Sequence, residues 1–304
     1  MNFRLAISIK LLSVLLFAMM SVLVRFVSET VPLGQVVFFR SAFAIIPVMA
    51  IYAWRRELGA AFRTKRPLGH VTRGLMAVVS MFLNFAALAR LPLVDATAIS
   101  FAAPFITVVL AAFILKERVR VYRWSAVIIG FVGVLVMLWP YLHVGTLIAA
   151  GATANTIGAA CAITAAFTNA GATIQTRRLT DSETTASIVF YFSLICALAG
   201  LVSLPFAWHA PNPTELAALT SIGLIGGLSH IFLTESYRYA PASVVAPFDY
   251  VALLLAYFFG YVLFGEIPGR YVYAGAAIVA GSGLFVIWRE RQIGLERAQK
   301  VHSG

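Results

Sequence analysis

The chain has 304 residues, of which 61% are hydrophobic and 12% charged, and its mean hydropathy is +0.90. This composition excludes an ordinary soluble protein, because too few polar side chains are present to cover a water-exposed surface. The net charge of +11 does not indicate nucleic-acid binding, since the basic residues lie in short segments between apolar runs. We expect an all-α integral membrane protein that requires no cofactor or metal and binds no nucleic acid.

Ten apolar segments are long enough to cross a bilayer as helices, at roughly 20 residues each. The first follows Arg4 and Lys10 and resembles a signal peptide, but it is long and no cleavage site follows it. We therefore expect it to be retained as a helix. The predicted spans, named TM1 to TM10, lie near residues 7–27, 34–53, 69–89, 94–115, 121–140, 152–174, 185–206, 216–237, 242–264 and 270–288.

Short connections predict that helices adjacent in sequence are antiparallel neighbours. If the N-terminus is cytoplasmic, 19 of the 23 lysines and arginines fall on the cytoplasmic side. The exceptions are Arg25, Arg40, Arg90 and Arg270. Because cytoplasmic loops of membrane proteins are enriched in basic residues, both termini are predicted to be cytoplasmic.

The chain contains an internal repeat. Residues 92–139 match residues 241–288 at seven positions when shifted by 149, and the matches include Pro92 with Pro241 and Glu117 with Glu266. Five spans, an odd number, separate equivalent positions, so the second copy crosses the membrane in the opposite sense. We predict two inverted five-helix repeats, 1–140 and 145–288, followed by a basic tail at 289–304. Inverted repeats are typical of carriers that work by alternating access.

Two segments carry a family resemblance. Residues 95–137 (DATAISFAAPFITVVLAAFILKERVRVYRWSAVIIGFVGVLVM) and 240–288 resemble the ends of two EamA-type domains of the drug/metabolite transporter superfamily. The resemblance implies a bacterial inner-membrane carrier of small organic solutes that does not hydrolyse ATP. Residues 64–75 (TKRPLGHVTRGL) and the pattern APFDY…FGEIP are similar to the branch with S-adenosylmethionine and riboflavin uptake carriers. Other branches export amino acids or toxic compounds.

TM9 has polar and aromatic residues along one helical face. Tyr250, Tyr257 and Tyr261 recur there at helical spacing, together with Ser243 and Pro247. Tyrosines on one stripe could stack against a flat heterocycle, which makes Tyr250 and Tyr257 candidate substrate-binding residues. The alternative is helix packing together with an interfacial aromatic belt.

Two of the prolines in the predicted spans lie on the polar stripes of TM4 and TM9. Pro104 in TM4 and Pro247 in TM9 remove backbone donors, so we predict that each loosens a helical turn and acts as a hinge. A static kink is the alternative. TM4 also carries a polar stripe that includes Ser100, which we include among the candidate substrate-binding residues.

Three further polar residues in the spans are candidates for substrate binding. Asn84 follows Arg73 and Ser80 along one face of TM3, and His230 lies on a polar face of TM8. Arg40 lies seven residues into TM2, where it needs an acidic partner, backbone carbonyls or water. The alternatives are interhelical hydrogen bonding for the first two and anchoring or a structural ion pair for Arg40.

Intramembrane acids bear on energy coupling. Asp249 and Glu235 are candidates for carrying a coupling proton or cation, and Asp95 is a weaker one. Uncoupled facilitation or exchange is the alternative. Glu117 and Glu266 lie at predicted helix ends, where we expect them to hold turns rather than to bind substrate.

These observations favour a secondary transporter, monomeric or homodimeric, over other functions. The first expectation for the substrate is a flat heteroaromatic metabolite such as riboflavin, followed by S-adenosylmethionine, both taken up. The alternative is export of amino acids or toxic compounds. A membrane enzyme is disfavoured because the chain has no HExxH pair, GxSxG elbow or phosphate-binding loop. A membrane scaffold without transport activity is a more remote alternative.

Overall fold

The computed structural model describes residues 3–54, 56, 58–116, 119–141, 154–180, 182–239 and 246–302. Within these ranges the regular structure is helical, and each predicted span corresponds to a helix. The helices are TM1 Phe3–Val27, TM2 Leu33–Trp54, TM3 Pro67–Leu88, TM4 Leu93–Ser100 and Ala102–Ile114, TM5 Val121–Leu138, TM6 Ala154–Thr180, TM7 Thr185–Val202, TM8 Pro213–Tyr239, TM9 Ala246–Tyr250 and Val251–Phe264, and TM10 Arg270–His302.

In the described part of the chain, nine helices are long and apolar enough to cross a membrane, and Phe248–Phe264 forms a shorter apolar helix. TM10 continues as a helix to His302, so the predicted tail extends the last span. Residues 242–245, predicted as the start of TM9, lie outside the described ranges, as do Pro241, Ser243 and Glu117.

Residues with special backbone properties define several helix ends. Pro67 and Pro213 occupy first-turn positions of TM3 and TM8, where the missing proline N–H costs no helical hydrogen bond. The Thr184 hydroxyl accepts a hydrogen bond from the backbone of Ser187 at the start of TM7. Gly265 ends TM9 in the left-handed conformation, with φ of 63°, which glycine adopts without a steric penalty.

The most extensive helix contacts join the two repeats. TM1 packs on TM8, TM3 on TM6, TM5 on TM10, and TM2 on both TM7 and TM8. Helices adjacent in sequence also touch, as TM4 and TM5 do, but less extensively. Glycines account for the difference, because they allow backbones of opposite repeats to approach closely. A Cβ atom at Gly200 of TM7 would lie 2.6 Å from the Phe38 nitrogen of TM2, and Gly133 of TM5 faces Gly275 of TM10.

One end of the bundle is held by a part-buried ion pair. Arg25 of TM1 lies 3.2 Å from Glu266 and also donates to the Leu88 carbonyl at the end of TM3. The other Glu266 oxygen accepts a 2.6 Å hydrogen bond from the Leu93 backbone, at the first residue of TM4. Glu266 thus caps TM4, in the opposite repeat, rather than only holding the turn in which it lies.

Glu183, in the connection from TM6 to TM7, forms the corresponding link to TM3. Its carboxylate accepts hydrogen bonds from the backbone N–H groups of Lys65 and Arg66 and from the Thr64 hydroxyl, and it lies 3.6 Å from the buried His70 ring. Burial raises the pKa of Glu183, but these hydrogen bonds outweigh burial, so its pKa is lowered overall. The first residues of the basic segment, 64–66, therefore have a structural role.

We expect Glu266→Ala to destabilise the protein by about 3 kcal/mol, because it leaves the Arg25 charge and the Leu93 donor without their acceptor. Glu266→Gln keeps the acceptor oxygen and should cost less. Chemical or thermal unfolding of the purified protein measures both variants. Equal stability of wild type and Glu266→Ala would contradict the capping role.

The Glu183 site predicts a specific acid sensitivity. Because its folded pKa is lowered, its contribution to stability is fully present above the ordinary glutamate pKa of 4.5 and is lost as the pH falls through the folded value. Glu183→Gln should be less stable than wild type at neutral pH and should lose less stability on acidification. Apparent unfolding temperatures between neutral and acidic pH test this, and parallel curves for the two proteins would refute it.

Candidate functional site

A central cavity of about 500 Å³ lies between the two repeats. Four helices of each repeat contribute to its lining, TM1 to TM4 and TM6 to TM9. Phe17, Phe85 and Phe192 supply aromatic surface. The polar and charged lining residues are Arg40, Ser80, Asn84, Ser100, Asn169, His230 and Asp249. Most of the predicted substrate-binding residues thus come together, although they are far apart in sequence.

Arg40 and His230 meet in the wall of this cavity. Arg40 is 4% exposed, and its Nη2 lies 2.9 Å from Nε2 of His230. A guanidinium can only donate, so His230 accepts through Nε2 and its ring is the neutral Nδ1-protonated form. The Phe192 ring lies beneath the guanidinium, with its centroid 5.5 Å from Cζ. Arg40 is therefore held by an imidazole and an aromatic face rather than by a carboxylate.

Asp249 forms the ion pair that the sequence reasoning missed. Its Oδ1 lies 2.7 Å from Nζ of Lys10, whose side chain is fully buried, whereas the Asp249 side chain is 43% exposed. By sequence alone, Lys10 is only a topology signal near the start of TM1. The structure extends TM1 back to Phe3, which places Lys10 two turns into the helix, where a lysine needs an acidic partner.

TM4 and TM9 are both interrupted beside the cavity. TM4 turns at Phe101, between its two segments, and TM9 begins with the 3₁₀ turn Ala246–Tyr250. Pro104 lies just after the first interruption and lacks the N–H that would bond the Ser100 carbonyl. Pro247 lies in the second, and its side chain is outside the described residues. The hinge role of both prolines stays a prediction.

The two interruptions are related by the repeat. Phe101 and Tyr250 are 149 residues apart, as are Ser100 and Asp249. The Phe101 and Tyr250 rings stack on each other at 5.1 Å with planes 18° apart, and Ser100 and Asp249 both line the cavity. The two copies of the repeat therefore meet at equivalent residues.

The tyrosine stripe of TM9 does not face the central cavity. Tyr250 lines a second cavity of about 340 Å³, which also contacts Pro104 and Asp249. Tyr257 is 41% exposed and packs against Tyr261 and, on TM10, Tyr273. Tyr257 thus lies in an aromatic cluster at the bundle surface. Asp249 is the residue that borders both cavities.

The remaining predicted residues lie outside the central cavity lining. Glu235 is half-buried on TM8, just over a turn beyond His230. Asp95 is buried on TM4 and accepts a hydrogen bond from the Tyr141 hydroxyl. Arg25 belongs to the Glu266 cluster. Among the predicted acids, Asp249 alone lines this cavity.

The matching family model decides the classification. A model of the EamA-like transporter family matches residues 4–139 and 156–288. The chain belongs to the EamA-like transporter family. The two matches correspond to the two inverted repeats, so this EamA protein is a multi-pass membrane transporter.

Curated relatives of this EamA protein differ in what they carry. A Rickettsia prowazekii S-adenosylmethionine uptake transporter is 30% identical, with 93% of this chain and 92% of the relative aligned. A Pseudomonas aeruginosa pseudopaline exporter is 28% identical, with coverage of 86% and 89%. A Rhizobium johnstonii riboflavin transporter is 30% identical, with coverage of 77% and 75%. Their names point to transport rather than enzymatic activity.

A solved crystal structure supports the fold. The two chains are 19% identical and superimpose with a TM-score of 0.65. The alignment covers 95% of this chain and 98% of the solved one. At this identity the match concerns the fold alone.

Thiol labelling tests the location of the cavity. With Cys161 and Cys196 replaced by Ala, we expect Asn84→Cys to react about tenfold faster than Tyr257→Cys with a charged methanethiosulfonate, because the reactive thiolate needs a hydrated site. Detergent-solubilised protein and mass spectrometry give the rates. Equal rates, or faster labelling at position 257, would contradict the assignment of the cavity.

Proposed function

We propose that this EamA protein takes up S-adenosylmethionine, or a closely similar cationic amino-acid derivative, across the bacterial inner membrane by alternating access. Both termini would be cytoplasmic, which the distribution of basic residues favours. The uptake transporter of Rickettsia prowazekii aligns over nearly the whole chain, and this likeness supports the substrate class.

The observation that carries the proposal is the half-exposed carboxylate in the central cavity. Asp249 offers a negative charge to a sulfonium, and the Phe17 ring offers surface for an adenine. A neutral flavin would instead depend on stacking, but Tyr257 lies at the bundle surface and Tyr250 faces the second cavity. The cavity therefore favours the cation over riboflavin, reversing the order expected from the sequence.

Lys10 gives this site a resident cation. Its ammonium is already 2.7 Å from Asp249, so a substrate cation must replace it there. The exchange keeps the carboxylate paired, whereas the displaced Lys10 ammonium must find water or backbone carbonyls as acceptors, because an unpaired charge in the bundle is costly. Displacement of Lys10 also breaks the ion pair between TM1 and the start of TM9. Substrate binding is thereby linked to the interruption in TM9.

Export is the second candidate function, because the pseudopaline exporter of Pseudomonas aeruginosa aligns over a similar length. Uptake of labelled S-adenosylmethionine, riboflavin and amino acids into cells without their own carriers distinguishes the candidates. We expect accumulation of S-adenosylmethionine above the background of empty cells. A protonophore arm tests whether a proton moves with it. No uptake, but efflux from preloaded right-side-out vesicles, would replace this proposal with export.

Asp249→Asn should reduce kcat/KM for S-adenosylmethionine about tenfold to hundredfold, the effect of losing one charged interaction. Residual riboflavin transport, if measurable, should change little, because riboflavin carries no cation. Tyr257→Phe is the matched control and should transport normally. Similar losses for both substrates at equal protein abundance would argue against a cation site at Asp249.

Lys10→Met should lower both KM and kcat for S-adenosylmethionine. The substrate cation then binds an uncontested carboxylate, but no ammonium remains to displace it for release. Lys10→Arg keeps the charge and should restore turnover at least in part. Steady-state transport by reconstituted protein separates the two parameters. A rise in KM, or a fall in kcat alone, would count against competition.

A further inference from the structure

A small chamber of about 150 Å³ opens beside the central cavity. It shares Arg40, Phe192 and His230 with the central cavity. Arg73 of TM3 also lines the chamber but does not line the central cavity. Its volume is about five water molecules, at roughly 30 Å³ each. The chamber can therefore accept a small functional group of a larger molecule, but not a second metabolite.

Two guanidinium groups share one aromatic ring in this chamber. Cζ of Arg73 lies 4.9 Å from the Phe192 centroid, and Cζ of Arg40 lies 5.5 Å from the same centroid. Arg73 is oriented by hydrogen bonds from Nε to the Thr176 hydroxyl, at 2.6 Å, and from Nη1 to the Ile188 carbonyl, at 3.1 Å. Both groups are thus positioned before any ligand binds.

The positive charge of the chamber is not balanced by its own walls. The lining contains no acidic side chain among the described residues, and its other polar members are neutral amide, hydroxyl and imidazole groups. Nη1 of Arg40 is buried and has no hydrogen-bond acceptor within the described part of the chain. A buried donor of this kind indicates an acceptor supplied from outside the protein.

We propose that this chamber binds the carboxylate of the transported metabolite, with Arg40 and Arg73 as the two cationic groups that hold it. The inference rests on the proposed function, because it requires the substrate to enter the central cavity. Arginine suits the role, since its planar group matches a carboxylate with two parallel hydrogen bonds. With Asp249 in the adjoining cavity, a substrate carrying both a carboxylate and a cation would bind in one orientation.

A matched pair of ligands tests the carboxylate directly. Decarboxylated S-adenosylmethionine differs from S-adenosylmethionine only in lacking that group. Wild type should bind it about tenfold to hundredfold more weakly. Arg73→Gln should weaken the binding of S-adenosylmethionine by the same factor and leave the affinity for the decarboxylated ligand unchanged. Calorimetry on purified protein provides the affinities.

Two control variants separate recognition from folding. Arg73→Lys keeps the charge and should recover part of the discrimination, whereas Arg90→Gln, at the far end of TM3, should behave as wild type. If Arg73→Gln weakens both ligands equally, Arg73 is only a link between TM3, TM6 and TM7, and the proposal fails. Equal affinity of wild type for both ligands also overturns it.

Small anions test the chamber even if S-adenosylmethionine is not the substrate. At constant ionic strength, acetate should raise the unfolding temperature of wild type more than acetamide does, and Arg73→Gln should abolish the difference. If acetate has this effect but S-adenosylmethionine does not bind, the carboxylate site in the chamber is supported and the proposed function fails. No acetate effect, or a larger effect of inorganic phosphate, would overturn the carboxylate assignment.

Discussion

A charge inside an apolar bundle is costly unless an opposite charge or a set of hydrogen-bonding groups surrounds it. In this protein several such partners come from the other repeat. The pairs are Lys10 with Asp249, Arg25 with Glu266, and Arg40 with His230. The contact between Glu183 and the residues before TM3 follows the same rule. The two repeats therefore form one interlocked bundle, in which neither half satisfies its buried charges alone.

This interlocking explains where the cavity lies. Glycines bring helices of opposite repeats into backbone contact at TM5 and TM10 and at TM2 and TM7. The polar faces of TM1 to TM4 and TM6 to TM9 then surround a common space. At its edge TM4 and TM9 are interrupted, and Phe101 stacks on its repeat equivalent, Tyr250. The interruptions therefore lie at equivalent positions of the two repeats, beside the cavity.

The acids of the bundle differ in how fully the protein satisfies them. Glu183 and Glu266 are 2% and 11% exposed and accept hydrogen bonds from backbone N–H groups at helix starts, so both serve the architecture. Asp249 has one ammonium partner and remains 43% exposed. A carboxylate that is open to a cavity and held by an exchangeable ammonium is what a cationic ligand requires. The two arginines differ in the same way: Arg25 has a carboxylate and a backbone carbonyl as acceptors, whereas the contacts of Arg40 among the described residues are with neutral groups.

The sequence by itself determined the ten spans and the inverted repeat, because bilayer thickness and the odd number of crossings leave little freedom. It also identified Arg40, Asn84, Ser100, His230 and Asp249, since polar residues in apolar helices are conspicuous. Only the tertiary structure decided that Lys10 pairs with Asp249, that Tyr257 faces away, and that TM1 packs on TM8. These depend on the rotation and pairing of helices, which are set by close packing between residues distant in sequence.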